Sequence, residues 1–225
     1  MKENITLLIE KIKKINKKVL GGIVLFVVIG LITVICSSGE GSGNVRASPS
    51  SDFSYDLSYD GRGIIITRYT GTGGRVVIPA RIEGLPVIGI QMGILVGNGF
   101  AGNNRITEIV IPDSIIELGV YAFSEMSELR KVTLPNGLKI IPEGAFGNNP
   151  KLTSINLPSS LEEIHGWAFG GCSELNELII PASLTGVKWM FGSIEETGNG
   201  AFQRCQKLPI RTRQTIQNWG YTGGF

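Results

Sequence analysis

One histidine and three cysteines are all that 225 residues hold of the side chains most common at catalytic and metal centres. A Ser-His-Asp or Cys-His arrangement would have to use His165. That residue sits between Ile164 and Gly166, in a repeat position filled elsewhere by Gly119 and Pro142. The pattern predicts a solvent-facing structural residue, not a base. No cysteine pair has zinc-ligand spacing. Carboxylates are scattered, and the pairs Glu162-Glu163 and Glu195-Glu196 read as solvated surface. The stretch 71–74, GTGG, is followed by neither a helical pattern nor Lys-Ser/Thr, so it reads as a turn and not as a phosphate cradle. No catalytic residue, cofactor or metal is expected.

Charge is sparse, at 18% of residues, and unevenly placed. Residues 1–18 carry six lysines and two glutamates, a net of +4. The remainder carries 15 basic and 17 acidic side chains, a net of −2. The bulk of the chain therefore lacks the basic stripe that neutralises phosphates, and nucleic acid is not an expected partner.

Between Lys18 and Glu40 no residue is charged. The run VLGGIVLFVVIGLITVICSSG fills residues 19–39 and is apolar on every face. About 20 residues span a bilayer core, so the run predicts a transmembrane or signal segment. The lysine cluster stays on the cytoplasmic side, which places everything after residue 40 outside the cytoplasm, at the cell surface or in the periplasm. Three forms are open: an uncleaved anchor, a lipoprotein acylated at Cys36, and a cleaved signal. Ile35 is bulky for the residue before a lipidated cysteine, and no clear A-x-A site follows. Residues 40–51 are rich in Gly and Ser and read as a flexible linker.

Hydrophobic residues make up 42% of the chain, enough for a core, and 31 glycines suggest many short strands and turns. Residues 52–78 predict an N-terminal β cap, with GIIITRY (63–69) and RVVIP (75–79) as strands and GTGG as the hairpin turn between them. Beyond it, proline recurs at 79, 112, 135, 158 and 181, and phenylalanine at 100, 123, 146, 169 and 202. An aliphatic residue recurs at 106, 129, 152, 175 and 208. The common interval is 23 residues, with two intervals of 33 whose ten extra residues each read as a loop on one face. Agreement of three registers predicts a solenoid over residues 79–208. Each coil offers a strand of the form L-x-x-L-x-L, a proline that ends it, a second pair of apolar positions, and Ala-Phe. Residues 209–225 predict a C-terminal helical cap stopped by Gly220.

The fold class expected is thus a β-rich leucine-rich-repeat solenoid of about five coils, capped at both ends and preceded by the apolar segment. Cys172 and Cys205 share one position, three after Phe, where Met126 and Asn149 stand in other coils. They read as small residues packed under the turn. Whether the two pair is open, because a ten-residue insertion lies between them. Asn103, Asn104, Asn148 and Asn149 read as turn residues.

The coil LPSSLEEIHGWAFGGCSELNELIIP (157–181) carries the whole repeat and resembles the BspA-like leucine-rich repeats of bacterial surface proteins. The resemblance covers residues 52–225, and the opening block from DFSYDLSYDG and the closing GYTGGF are similar to spirochaetal members. It implies a surface protein that binds protein ligands, such as host extracellular-matrix components or surface proteins of other bacteria.

The function expected is therefore a non-catalytic, membrane-anchored, exported binding module for adhesion or surface recognition. The alternative is a structural protein that organises the envelope and has no host ligand. The first candidate partner-binding face consists of the outward positions of the strands: Thr107, Glu108 and Val110; Arg130, Lys131 and Thr133; Thr153, Ser154 and Asn156; Asn176, Glu177 and Ile179. Arg130 and Lys131 read as the only basic spot in that row. The second candidate is the aromatic insertion with Trp189, Met190 and Phe191, which would otherwise pad the last coil.

Overall fold

The chain divides into two units, Met1–Asn44 and Val45–Phe225. A computed structural model describes residues 46–93, 99–184, 187–188, 200–221 and 223–225, all in the second unit. The apolar run at 19–39, Cys36, and Trp189, Met190 and Phe191 lie outside the described residues. Among the described residues no helix is long and apolar enough to cross a membrane.

The described elements run β1 (Phe53–Leu57), β2 (Ile64–Tyr69), β3 (Gly74–Val77), β4 (Arg81–Ile82), β5 (Leu85–Ile90), β6 (Ile106–Val110), β7 (Glu117–Leu118), β8 (Lys131–Thr133), β9 (Ile140–Ile141), β10 (Ser154–Asn156), β11 (Glu163–His165), β12 (Glu177–Ile179), β13 (Val187–Lys188) and the helix α1 (Ile210–Asn218). The strands are short for a reason visible in the sequence. Each L-x-x-L-x-L motif runs into Pro112, Pro135, Pro158 or Pro181, and proline cannot donate the next ladder bond.

The chain winds as a solenoid, and each coil repeats three hydrogen-bonded contacts with the next. The main ladder is the parallel sheet β3-β6-β8-β10-β12. A second parallel ladder, β9-β11-β13, runs beside it, and β7 extends the same position to β5. The third contact is made by the Ala-Phe turns. There the amides of Phe100, Phe123, Phe146 and Phe169 donate to the carbonyls of Ala122, Ala145, Ala168 and Ala201 at 2.8–3.0 Å.

The core follows the repeat. Phe100, Phe123, Phe146, Phe169 and Phe202 are fully buried and form one column, with ring centroids 5.0–5.8 Å apart. Val76, Ile109, Val132, Ile155 and Leu178 face them from the main ladder. The last interval of 33 residues leaves this register intact, since Phe202 stacks on Phe169 at 5.5 Å.

Two expectations about the N-terminal region are corrected. GTGG is not a hairpin turn. β2 pairs with β1 and β5 in the cap sheet, whereas β3 pairs with β6 as the first rung of the main ladder. Gly73 and Gly74, at φ +94° and +72°, carry the chain from one sheet to the other. A Cβ on Gly73 would lie 2.5 Å from the Arg105 carbonyl oxygen, so glycine is required for this approach. Nor is the first ten-residue surplus a single loop. Ile82 to Ile90 spans eight positions where the equivalent Ile115 to Leu118 spans three, so half the surplus is the β4–β5 hairpin. Its second strand joins the cap sheet, where a register shift lets buried Val87 and Ile90 pair with buried Ile64 and Ile66. The other half falls at 91–99, of which 94–98 lie outside the described residues.

The β3 edge of the main ladder is closed and its β12 edge is partly covered. Ser48 closes the β3 edge, its amide donating to the Val77 carbonyl at 2.8 Å and its hydroxyl accepting from the Val77 amide at 3.0 Å. At the far end α1 begins after Pro209 and stops at Gly220, whose φ of +84° suits glycine. Ile216 is its one buried residue, and the Thr212 hydroxyl donates to the Leu178 carbonyl at 3.4 Å.

The Ala-Phe turn is built on left-handed backbone. Two residues after each Phe stand Gly102, Glu125, Asn148, Gly171 and Arg204, all at positive φ. Two residues before stand Tyr121, Gly144, Trp167 and Gly200, at φ 57–60°. Aromatic and glycine alternate here because each ring lies across the glycine of the next coil. A Cβ on Gly144 would enter the Tyr121 ring, and one on Gly200 would meet the Trp167 indole at 2.8 Å. Gly144→Ala should therefore cost more than the roughly 1–2 kcal/mol of left-handed backbone alone. In a denaturant-melt double-mutant cycle, Tyr121→Ala should remove the excess. Strictly additive losses would show that ring and glycine do not touch.

Candidate protein-binding face

The main ladder brings the twelve outward positions into three columns. Thr107, Arg130, Thr153 and Asn176 form one, since each amide from Arg130 onward donates to the carbonyl of the coil before at 2.8–3.0 Å. The strand register aligns Glu108, Lys131, Ser154 and Glu177 in a second. Val110, Thr133, Asn156 and Ile179 make the third. None of the twelve is buried. The structure thus places them together on one regular face, about 4.8 Å per coil.

The placement of β3 adds two residues that the sequence reading left in the cap. Arg75 pairs with Glu108 across the register, and Val77 with Val110. The signal was present, because RVVIP ends at Pro79 in the same proline register as the later strands. Arg75 also corrects the view of Arg130 and Lys131 as the only cations of the row. Its guanidinium lies 3.1 Å from Glu108. Arg130 reaches Glu128 at 3.9 Å, and Glu128 is held at 2.5 Å by Lys151 of the next coil. Lys131 has no ion-pair partner among the described residues, which leaves its ammonium as the uncommitted cation of the face.

Like-placed side chains of successive coils bond along the solenoid. Lys151 with Glu128, Lys139 with Glu162, and Lys207 with Glu174 are such pairs, and Asn136 donates to Asp113. The hydrogen bond from Lys151 holds the exposed Glu128 carboxyl below its usual range. The sign follows: this contribution is present above the ordinary carboxylate range and is lost as pH falls through the lowered value. Solvent screening keeps it small.

His165 is corrected from solvent-facing to buried, at 8% exposure. Its repeat position turns toward the neighbouring coil. At Gly119, the same position, an added Cβ would run into the backbone of Gln91 and Met92. Nε2 of His165 lies 3.0 Å from a Glu163 carboxylate oxygen, and Nδ1 is buried with no partner.

Asn149 is more than a turn residue. Fully buried, it accepts from the Met126 amide and donates to the carbonyls of Phe123 and Phe146, each at 2.8 Å. Cys172 and Cys205 repeat this bridge with thiols, donating to the carbonyls of Phe146 and Phe169 at 3.1 Å. Both are free, which settles the open pairing. Desolvation pushes the Cys172 thiol up to about 12 and raises that of Cys205 as well. Three of the four buried positions in this column thus carry a side chain that bonds across coils, and Met126 fills the fourth with an apolar one. The sequence signal was Asn149, Cys172 and Cys205 recurring three residues after Phe.

The sequence profile described as the BspA type leucine rich repeat region matches residues 95–220, in 6 copies. The chain belongs to the BspA-type leucine-rich-repeat family. The chain is similar to a solved leucine-rich repeat protein of T. pallidum, 24% identical over 80% of this chain and 99% of its own, with a TM-score of 0.49. A leucine rich cell surface protein of Faecalibacterium prausnitzii is 23% identical over 76% of this chain and 41% of its own, with a TM-score of 0.57. A leucine-rich repeat protein of Bacteroides ovatus is 23% identical over 70% of this chain and 44% of its own, with a TM-score of 0.52. The chain spans about two-fifths of the length of these last two, whose likeness shows the leucine-rich-repeat fold. No curated protein gives a significant match.

The bridging column is open to test. In the folded chain neither Cys172 nor Cys205 should react with a thiol reagent at pH 8, and both should react in denaturant. Asn149→Leu strands the Met126 amide and should cost about 1–3 kcal/mol or more in a denaturant melt. A variant as stable as the parent would remove the bridge from the account.

Proposed function

We propose that residues 52–225 form a non-catalytic binding module, held outside the cytoplasm by the segment at 19–39, that contacts a protein partner through the face of its main ladder. The observation that carries this reading is the set of three registered columns. Their side chains stand clear of the core, so their identities are not needed for the fold. Leucine-rich-repeat solenoids are generally scaffolds of this kind, with extended faces that receive a partner without refolding. Adhesion to host matrix components or to other bacterial surface proteins is the role proposed for the face. Its partner contacts are assigned to Thr107, Glu108, Val110, Arg130, Lys131, Thr133, Thr153, Ser154, Asn156, Asn176, Glu177 and Ile179, now joined by Arg75 and Val77. Trp189, Met190 and Phe191 remain the second proposed contact.

Export rests on the lysine-rich residues 1–18 and the uncharged run that follows. The proposed order is a cytoplasmic segment 1–18, an apolar segment 19–39 with Cys36 as the lipidation alternative, a linker 40–51, a cap 52–78, repeats 79–208 and a C-terminal cap 209–225. A C-terminal alkaline phosphatase fusion should be active in cells and a C-terminal cytoplasmic reporter fusion inactive. The reverse result would end the export reading. Cys36→Ala should leave the chain in the membrane fraction if the helix anchors it, and release the chain if a lipid does.

For the face, Lys131 is uncommitted and Arg130 is held by a long, exposed pair, so both are available to a partner. Arg130→Ala with Lys131→Ala should weaken binding to purified matrix proteins or envelope fractions about tenfold or more, with the melting curve unchanged. Unchanged binding moves the contact to Trp189, Met190 and Phe191. Absence of binding by the parent favours the envelope-organising role.

A further inference from the structure

The main ladder ends at β12, which pairs with β10 on one side only. On its other side α1 stands off, leaving an open groove of about 620 Å3. One bank is aliphatic, with Ile179, Ile180, Pro181 and Leu184. The other is one face of the helix, with Arg211, Thr215 and Trp219 at four-residue spacing. Thr212, which also lines the groove, donates across it to the Leu178 carbonyl at 3.4 Å.

Two independent features mark the groove as built for an occupant. First, Ile179 on the aliphatic bank is 76% exposed, the most exposed large aliphatic side chain among the described residues. Second, its charge is one-sided. Residues 200–225 hold four cations (Arg204, Lys207, Arg211 and Arg213) and no acid, whereas residues 106–184 hold ten acids and four cations. Lys207 is paired with Glu174. Arg213 donates to the carbonyls of Leu208 and Gln206 and lies over the Phe225 ring. Arg211 is exposed, lines the groove and has no ion-pair partner among the described residues, and none of the described residues lining the groove is acidic.

The size selects the occupant. The helix face from 211 to 219 is about 12 Å long at 1.5 Å per residue. That length takes about four residues of extended chain. A phosphate polymer would need several free cations in line, and here one faces the groove. From the aliphatic bank and the lone guanidinium we infer that the groove between β12 and α1 docks an extended acidic segment of a partner protein. Aliphatic side chains of the segment rest on residues 179–181, and a carboxylate of the segment accepts from Arg211. The guanidinium and carboxylate match as a planar, two-point pair. The site is distinct from the face of the main ladder, with Ile179 as the residue shared.

The test uses the full chain in detergent and fluorescence anisotropy. The probe is a fluorescein-labelled seven-residue peptide of alternating glutamate and leucine, compared with its twin bearing lysine for glutamate. The glutamate peptide should bind, and the lysine twin about tenfold more weakly or worse. Arg211→Glu should weaken the glutamate peptide by a similar factor, and Ile179→Ser should weaken it too, with melting curves kept. Arg211→Gln serves if the glutamate variant disturbs the helix. Arg130→Ala with Lys131→Ala should leave peptide binding as it is. No binding, equal binding of both peptides, indifference to both Arg211 variants, or loss through the Arg130 and Lys131 variant instead would each overturn the inference.

Discussion

Every feature of this domain depends on registered contact between one coil and the next. A single 23-residue coil has three short strands or turns and a few apolar side chains, too little to close a core. Stacked coils complete one another. Main ladder, second ladder and Ala-Phe turn each align the same positions of adjacent coils, so that apolar residues meet their own equivalents. The phenylalanine column is the clearest result, with rings 5.0–5.8 Å apart from Phe100 to Phe202. Polar groups obey the same rule. Asn149, Cys172 and Cys205 bridge coils inside, and the lysine–glutamate pairs bridge them outside. Stability is then local and nearest-neighbour in character, and the face of the ladder is free for other work.

The repeat made much of this readable beforehand. Positions that recur with a 23-residue interval had to be inward or outward together, so the phenylalanines, the strand cores and the outward columns all followed from spacing. What escaped was decided by contacts that the period does not encode. GTGG looks like a hairpin turn between two β-branched runs; only the approach of Gly73 to Arg105 shows that it passes between sheets. Val87 and Ile90 carry no sign that they complete a cap sheet. His165 seemed exposed because its equivalents, Gly119 and Pro142, have no side chain that reports burial by polarity. The donor-and-acceptor requirement at Asn149 emerges only once the neighbouring amide and carbonyls are in place.

The two surfaces read as functional differ in kind. The ladder face is broad, regular and made of side chains that the core does not need. The groove at β12 is narrow and terminal, and exists because a polar helix with one buried residue closes the solenoid without filling the space beside the last strand. A repeat architecture gives the first in proportion to its length. The second depends on how the stack is ended.

The alternation of Tyr121, Gly144, Trp167 and Gly200 sets a grammar for changes in length. Each ring needs a glycine beneath it, so the true unit along this edge is a pair of coils and not one coil. Loss of the single coil that contributes Gly144 would bring the Tyr121 and Trp167 positions together, two left-handed aromatic residues in space shaped for one ring. Loss of the coil that contributes Trp167 would set glycine on glycine and leave backbone uncovered. Growth or shrinkage by two coils keeps every ring on its glycine. A solenoid of this pattern therefore changes length most easily in even steps.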